Sequence, residues 1–408
     1  MVVRKEIVNP YRPGAGHSPP YLAGREKEIE EFRPYLEQAE VTKNVILTGL
    51  RGVGKTVLMD DKLKPMALDA GWVWVGSDFS ESSFLSEENL CTRLLTDLSV
   101  FTSSLELAKP MKKLGFDSTG RAVLSFDFLA TYFGAQPGLA ADKLKAVLEL
   151  AWAVTKRRDK RGIIFAYDEA QVVQDQRDKE QYPLALLLEV FQSLQRKGAM
   201  YMLVLTGLPT LFPKLVESRT YAERMFAVQE ISRLSREASR QAIIEPLRGS
   251  SRQFAKQAIA VIVEVSDGYP YFIQFICREA FDYLKANPGS KTIPIDPIVR
   301  KLDSDFFAGR WEILTDRQRD LLFCISELAH ADEEFTISEI VEASKKATRV
   351  KSFVAGDVSQ MLPRLIEKGL VYKNRHGRYA FAVPLFARFI QRKYAISEMQ
   401  RRLFRGGR

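Results

Sequence analysis

Apolar positions along this chain follow two rhythms. Apolar runs at residues 44–48, 72–75, 162–167 and 200–207 predict strands, and 226–231 is a further strand candidate. Continuous rather than alternating apolarity implies burial on both faces, as in a parallel sheet. Between them, apolar residues return every three or four positions near 86–101, over 139–156 and over 183–196, which predicts helices. Strands alternating with helices specify an α/β architecture with a helix-covered parallel sheet. Residues 235–309 carry only the helical rhythm, and Gly268-Tyr269-Pro270 sets a helix start within them. The last third predicts helices over 316–329, 337–345 and 354–368, a strand at 369–372, a four-residue turn at 374–377 and a second strand at 379–382. Residues 102–138 have mixed periodicity and read as an insertion or irregular connection. The expected layout is an N-terminal Pro/Gly-rich arm and helix (1–43), an α/β core (44–233), an all-helical segment (234–310), a helix-and-hairpin domain (311–396) and a flexible basic tail (397–408).

Chemistry enters directly behind the first strand. Residues 49–56, Gly49-Leu50-Arg51-Gly52-Val53-Gly54-Lys55-Thr56, fit G-x-x-x-x-G-K-[ST]. Glycines at 49, 52 and 54, with Val53 among them, let successive backbone N–H groups turn toward an anion. The helix that continues through Val57 points its positive end at the same phosphates. Lys55 supplies a full charge to the β- and γ-phosphates of ATP, and the Thr56 hydroxyl is placed to ligate Mg²⁺. The run at 162–167 ends in Tyr167-Asp168-Glu169. Alone, two acids after a strand also suit an ordinary helix cap. Following a phosphate loop, they suit a nucleotide hydrolase: Asp168 holds Mg²⁺, and Glu169 polarises the attacking water. The run at 200–207 ends in Thr206, a hydroxyl suited to sensing the γ-phosphate or positioning water, although Thr-Gly is also an ordinary turn.

Composition sets limits. A 408-residue chain, 46% hydrophobic and 27% charged, is globular and long enough for two or three domains. No uncharged apolar run is long enough to span a bilayer, and residues 1–6 lack an apolar signal core, which gives a cytoplasmic expectation. Cys91, Cys277 and Cys324 are isolated in apolar surroundings and read as buried reduced thiols. With His17, His330 and His376 equally scattered, neither a zinc site nor a His-based triad can be assembled. Charge is uneven: residues 343–408 hold 16 Lys or Arg against 3 Asp or Glu, a balance of +13, which leaves −4 for the rest of a +9 chain. A polyanion-facing surface would be C-terminal. The run Lys156-Arg157-Arg158-Asp159-Lys160-Arg161 reads instead as the solvated end of a helix, where cations suit the dipole.

Taken together, these motifs resemble the AAA+ ATPases, and within them the archaeal-type and origin-recognition initiator-like branch, over nearly the whole length. Tyr21-Leu22-Ala23-Gly24-Arg25-Glu26 is similar to that branch's G-R-E box, which implies that Gly24 and Arg25 lie near an adenine. Residues 49–56 look like its Walker A loop, Tyr167-Asp168-Glu169 like Walker B, and Thr206 falls where sensor 1 belongs. Arg224 resembles the arginine finger that reaches a neighbouring subunit's nucleotide, with Arg219 the second candidate; an exposed helix charge is the plain alternative for both. A finger supplied in trans implies a homo-oligomer built through the nucleotide interface. The stretch matching sensor 2, Ser266-Asp267-Gly268-Tyr269-Pro270-Tyr271, has no arginine, which implies a slow switch rather than a processive motor.

The region 314–394 looks like a winged helix. Val358, Leu362, Leu365 and Ile366 share one helical face and are expected in the core, leaving Asp357, Gln360, Arg364 and Glu367 outward. Two of those four are acidic, which argues against base reading by this face, and Pro363 is a potential kink. Lys345, Lys346, Arg349, Lys351, Lys373, Arg375 and Arg378 are expected on loops around it and, with the outward Arg364, are the candidate contacts to duplex DNA, where phosphate contacts would position the module without specifying bases. The leading expectation is therefore an ATP-dependent DNA-binding switch, initiator-like or associated with mobile elements. The alternatives are a STAND-like signalling NTPase whose winged helix docks protein, although no 20–50-residue repeat accompanies it, and an ATPase regulator of a partner enzyme such as a transposase.

Overall fold

The computed structural model describes residues 8–14, 17–79, 86–107, 122–248, 250, 252–290 and 292–405. These form two compact units. One comprises residues 25–49 and 55–231; the other comprises the N-terminal residues to Gly24, residues 50–54, and everything from Ser232 onward.

The first unit is built on a five-stranded sheet. Its strands are β1 (Asn44–Thr48), β2 (Trp72–Val75), β5 (Gly162–Tyr167), β6 (Tyr201–Gly207) and β7 (Phe226–Glu230); between them in sequence lies a small antiparallel pair, β3 (Glu106–Leu107) and β4 (Ala122–Val123). The spatial order is β2-β5-β6-β1-β7, and every pairing is parallel. All residues of β1, β5 and β6 are buried, which accounts for their unbroken apolar runs. At the start of β1, Asn44 stitches three strands or flanks together. Its Oδ1 accepts from Leu203 N (2.8 Å) and Gln195 Nε2 (2.9 Å), while its Nδ2 donates to Met225 O (3.2 Å). The helices Glu87–Thr102, Ala140–Thr155 and Pro183–Arg196 pack leucines on the sheet and form one apolar core with it. The expected insertion at 102–138 resolves in part as β4 and the helix Phe126–Ala135, capped by Ser125; residues 108–121 lie outside the described residues.

The second unit is mostly helical. The N-terminal arm docks within it: Tyr11 is buried, donates its hydroxyl to Ile243 O (2.5 Å) and stacks on Phe254 at 6.0 Å. Helices Arg236–Ile244, Lys256–Ser266 and Pro270–Ala286 surround that anchor. A second core centres on Phe307, whose ring lies 5.9 Å from Phe272, 5.9 Å from Phe386 and 5.0 Å from Phe389. Three helices follow, Asp316–Ser326, Ile337–Lys346 and Ala355–Glu367, the first two closed by Thr capping boxes at Thr315 and Thr336. Then come the antiparallel strands β8 (Val371–Arg375) and β9 (Arg378–Phe381), with Phe335 bridged to Tyr379 as a one-residue third strand.

Three details of this region depart from the sequence expectation. The hairpin turn is two residues, His376-Gly377, not four, because Gly377 adopts φ +71° and lets the strands continue to Arg375 and Arg378. As a result Lys373, Arg375 and Arg378 lie on strands, and Lys345 and Lys346 in the last turn of a helix, not on loops. The final helix runs unbroken over Phe386–Arg405, so the tail expected to be flexible from 397 is helical as far as the described residues reach. Val358, Leu362 and Leu365 are fully buried as expected, with Ile366 partly so, and Pro363 sits inside the helix. No helix among the described residues is long and apolar enough to cross a membrane. Cys91, Cys277 and Cys324 are free and buried, and burial pushes the Cys91 and Cys324 thiols up to about 12.

Candidate functional site

The sheet order brings the carboxyl ends of β1, β5 and β6 side by side, and the polar residues singled out from the sequence sit there. A turn leaves β1 at Thr48, and a helix starts at Lys55. Within it Gly52 has φ +79° and Gly54 φ +92°, backbone conformations closed to residues with a Cβ. An added Cβ on Gly54 would meet nothing, so its requirement is conformational and not spatial. Lys55 is buried and donates from Nζ to Gly49 O at 2.9 Å, which folds the cation back over the turn.

From the end of β5, two strands away from β1, Asp168 closes the site. Only 4% exposed, it accepts Thr56 Oγ1 on Oδ2, and Thr206 Oγ1 and the Glu169 N–H (2.7 Å) on Oδ1. The structure thus unites Thr56, Asp168 and Thr206, three residues far apart in sequence. Glu169 follows at φ +52°, in the left-handed region; for a residue with a side chain this costs about 1 kcal/mol or more. Its Oε2 accepts the side-chain amide of Gln171, which sequence reasoning missed. Upstream, Tyr167 is anchored by its hydroxyl on Asp97 Oδ2 (2.9 Å), which Arg93 Nε also holds (2.9 Å), and Phe79 stacks on its ring at 3.9 Å.

Two further acids gather here without a sequence signal. Asp78 pairs backbone-to-backbone with Asp168, and its carboxyl is pushed upward by burial and then by repulsion from Asp168 and Glu169. Asp60 is raised by burial, with Asp168 and Asp78 adding repulsion. An excess of carboxylates around a Thr–Asp pair fits a divalent cation, which Thr56 and Asp168 would be the residues to hold. Both donors are oxygens, as Mg²⁺ requires.

The remaining candidates are distributed as follows. Arg25 is buried at the head of the helix Glu26–Glu37, paired with Glu28 at 3.2 Å, and its burial lowers its basicity. Gly24 has φ +63°, and a Cβ there would lie 2.6 Å from Ala238 Cβ. Val57 continues the helix that begins at Lys55. Arg224 is exposed, on the short helix Ala222–Met225 before β7, with no ionic partner among the described residues. Arg219 is partly tied down, 3.9 Å from Glu189 and 3.1 Å from the carbonyl of Ser218. Where an arginine was absent from the sensor 2 stretch, the Tyr271 N–H donates to Gly52 O at 3.4 Å.

The basic residues of the C-terminal region are not equivalent. Arg375 is held by Glu334 through Nε (2.9 Å) and Nη2 (2.7 Å), and Lys345 by Glu342 (2.7 Å). Lys346, Arg349, Lys351, Arg364 and Lys373 are exposed, and Arg378 is half-buried. Asp357, Gln360 and Glu367 are exposed beside Arg364, as expected.

Residues 21–208 match the AAA ATPase domain family, and residues 304–390 match a domain of unknown function. No curated protein matches the sequence. Among solved structures, the chain is similar to the Walker-type ATPase PABY2304 of Pyrococcus abyssi, with 18% identity, 91% of this chain and 96% of that one covered, and a TM-score of 0.58. It is also similar to the Aeropyrum pernix ORC2 protein in its ADP form, with 15% identity, coverage of 93% and 97%, and a TM-score of 0.54. At such identities the likeness is one of fold, and that fold includes the parallel α/β core expected from the sequence.

Proposed function

We propose that the chain, whose residues 21–208 match the AAA ATPase domain family, is a slow ATP-operated switch that binds duplex DNA through its C-terminal region. The observation that carries the nucleotide half is the convergence of Thr56 and Thr206 on Asp168, with Lys55 folded over its turn and Glu169 adjacent. In this reading, glycine N–H groups and Lys55 bind the phosphates, Thr56 and Asp168 hold Mg²⁺, and Glu169 takes the proton of the attacking water. The metal supplies charge neutralisation of the phosphate oxygens. Thr206 senses the γ-phosphate, and Gly24 and Arg25 lie toward the adenine. Arg224 is the better finger candidate because Arg219 is already engaged by Glu189. A homo-oligomer would place it at a neighbour's nucleotide.

For the DNA half, residues 311–396 have the element order of a winged helix: three helices, then a hairpin, with Phe335 as the short first strand. The +13 balance of residues 343–408 supports a polyanion partner. In this reading residues 234–310 form the lid. Protein docking by the same module is the second reading, favoured by the pinning of Arg375 on Glu334 and by the acids on the outward face of the helix Ala355–Glu367.

The test is enzymatic. Glu169→Gln should bind Mg²⁺-ATP with near wild-type affinity and lower turnover by about a hundredfold or more, since an amide keeps the shape and loses the proton acceptor. Asp168→Ala should lose the Mg²⁺ dependence of binding. Wild-type turnover in Glu169→Gln places the base elsewhere.

A further inference from the structure

We propose that Gln171 is a positioning residue that fixes the Glu169 carboxylate and couples it to the carboxyl end of β6. The proposal rests on the reading of Glu169 as the water-polarising base. Gln171 lies in the single helical turn Ala170–Val172 and is 7% exposed, an unusual setting for an amide unless its polar atoms are all used. They are. Its Oε1 accepts the Leu208 N–H at 3.0 Å, and its Nε2 donates to Glu169 Oε2. The orientation of the amide is fixed by chemistry: the Leu208 N–H can only donate and a carboxylate can only accept, so oxygen must face one and nitrogen the other. The backbone of Gln171 is held as well, its carbonyl accepting Lys214 Nζ at 3.1 Å.

Gly207 provides an independent observation. It is not at positive φ, so its backbone does not call for glycine; space does. A Cβ there would collide with Gln171 Oε1 and come within 2.9 Å of Leu211. Gly207 immediately follows Thr206, whose hydroxyl sits on Asp168. The amide therefore bridges the two strand ends that carry the catalytic carboxylate and the hydroxyl sensor. It occupies one oxygen of Glu169 and leaves Oε1 to face a water. It also opposes rotation of a side chain whose backbone is already in a disfavoured conformation. Beyond Leu208, the helix Leu211–Ser218 that carries Lys214 ends at Arg219, so movement of that segment would reach Glu169 through Gln171.

The experiment is a double-mutant cycle on the full chain: single-turnover ATP hydrolysis at saturating Mg²⁺-ATP for wild type, Gln171→Met, Glu169→Gln and the pair, with ATP Kd and Tm measured alongside. Gln171→Met should lower turnover by about tenfold to a hundredfold with Kd unchanged, the scale of a misplaced catalytic group. The double variant should be no slower than Glu169→Gln alone, because Gln171 acts through Glu169. Gly207→Ala, which displaces the amide without removing it, should reproduce the Gln171→Met defect. Gln171→Glu keeps the shape should the methionine variant fail to fold. It sets a second carboxylate where an amide donor held Glu169, repels that side chain, and should lower turnover with ATP Kd unchanged. Multiplying defects, or a Gln171→Met enzyme as fast as wild type while Glu169→Gln is slow, overturn the positioning role and leave the base intact. Glu169→Gln at the wild-type rate, or a wild type that does not hydrolyse ATP, overturns both.

Discussion

Lys55 shows how much of this site depends on one buried charge. Its ammonium is nearly enclosed and, with the phosphates of ATP in place, would exchange the Gly49 carbonyl for charged oxygens. Hydrogen bonds to charged groups contribute about 1.5–3 kcal/mol each, so Lys55→Ala should weaken ATP binding about ten- to a hundredfold or more. Isothermal titration would show it, and unchanged affinity would remove the phosphate-loop assignment. The residues around it differ in how visible they were beforehand. Gly49, Lys55, Thr56 and Asp168 were legible because their chemistry demands fixed residue types at fixed spacing behind a strand. Asp60, Asp78 and Gln171 were not, since an isolated acid or amide has no periodicity, and only the folded strand ends bring them to Asp168 and Glu169. The signal available for Gln171 was slight: an amide two residues past paired acids, with a glycine ending the next strand.

At the scale of elements, the sheet was the most predictable part. Strands buried on both faces must be apolar throughout, and β2 and the helix Pro183–Arg196 fall where the pattern placed them. Asn44 is the informative exception, a fully buried amide opening an apolar strand. It serves both the Leu203 N–H and the Met225 carbonyl, so Asn44→Ala strands two buried backbone groups at a cost of about 1–3 kcal/mol each. Chemical denaturation should show a loss of that order; an unchanged midpoint would mean that water or Gln195 replaces the amide. Element ends were less legible. The hairpin turn was misjudged because Arg375 and Arg378 look like loop residues, yet paired backbones and the positive φ of Gly377 carry both strands to them. The final helix outruns its expected end because the basic run there suits a flexible tail, although Phe386, Phe389, Ile390, Ile396, Met399 and Leu403 recur at helical spacing along it.

For the whole molecule the question is where charge meets function. If residues 343–408 are the DNA footprint, neutralising Lys373, Arg375 and Arg378 together should make log affinity against log salt shallower by roughly 0.9 for each phosphate that the protein no longer neutralises. Arg375 is expected to contribute least, because Glu334 already engages it. ATP affinity should not change. No salt-dependent DNA affinity in the wild type would move this region to protein docking and favour a signalling NTPase. The central claim joins the two halves, and one measurement addresses it: anisotropy titration of a duplex with Glu169→Gln protein in Mg²⁺-ATP and in Mg²⁺-ADP. The account predicts clearly different duplex affinities in the two nucleotides; equal affinities, or none in either, would contradict it.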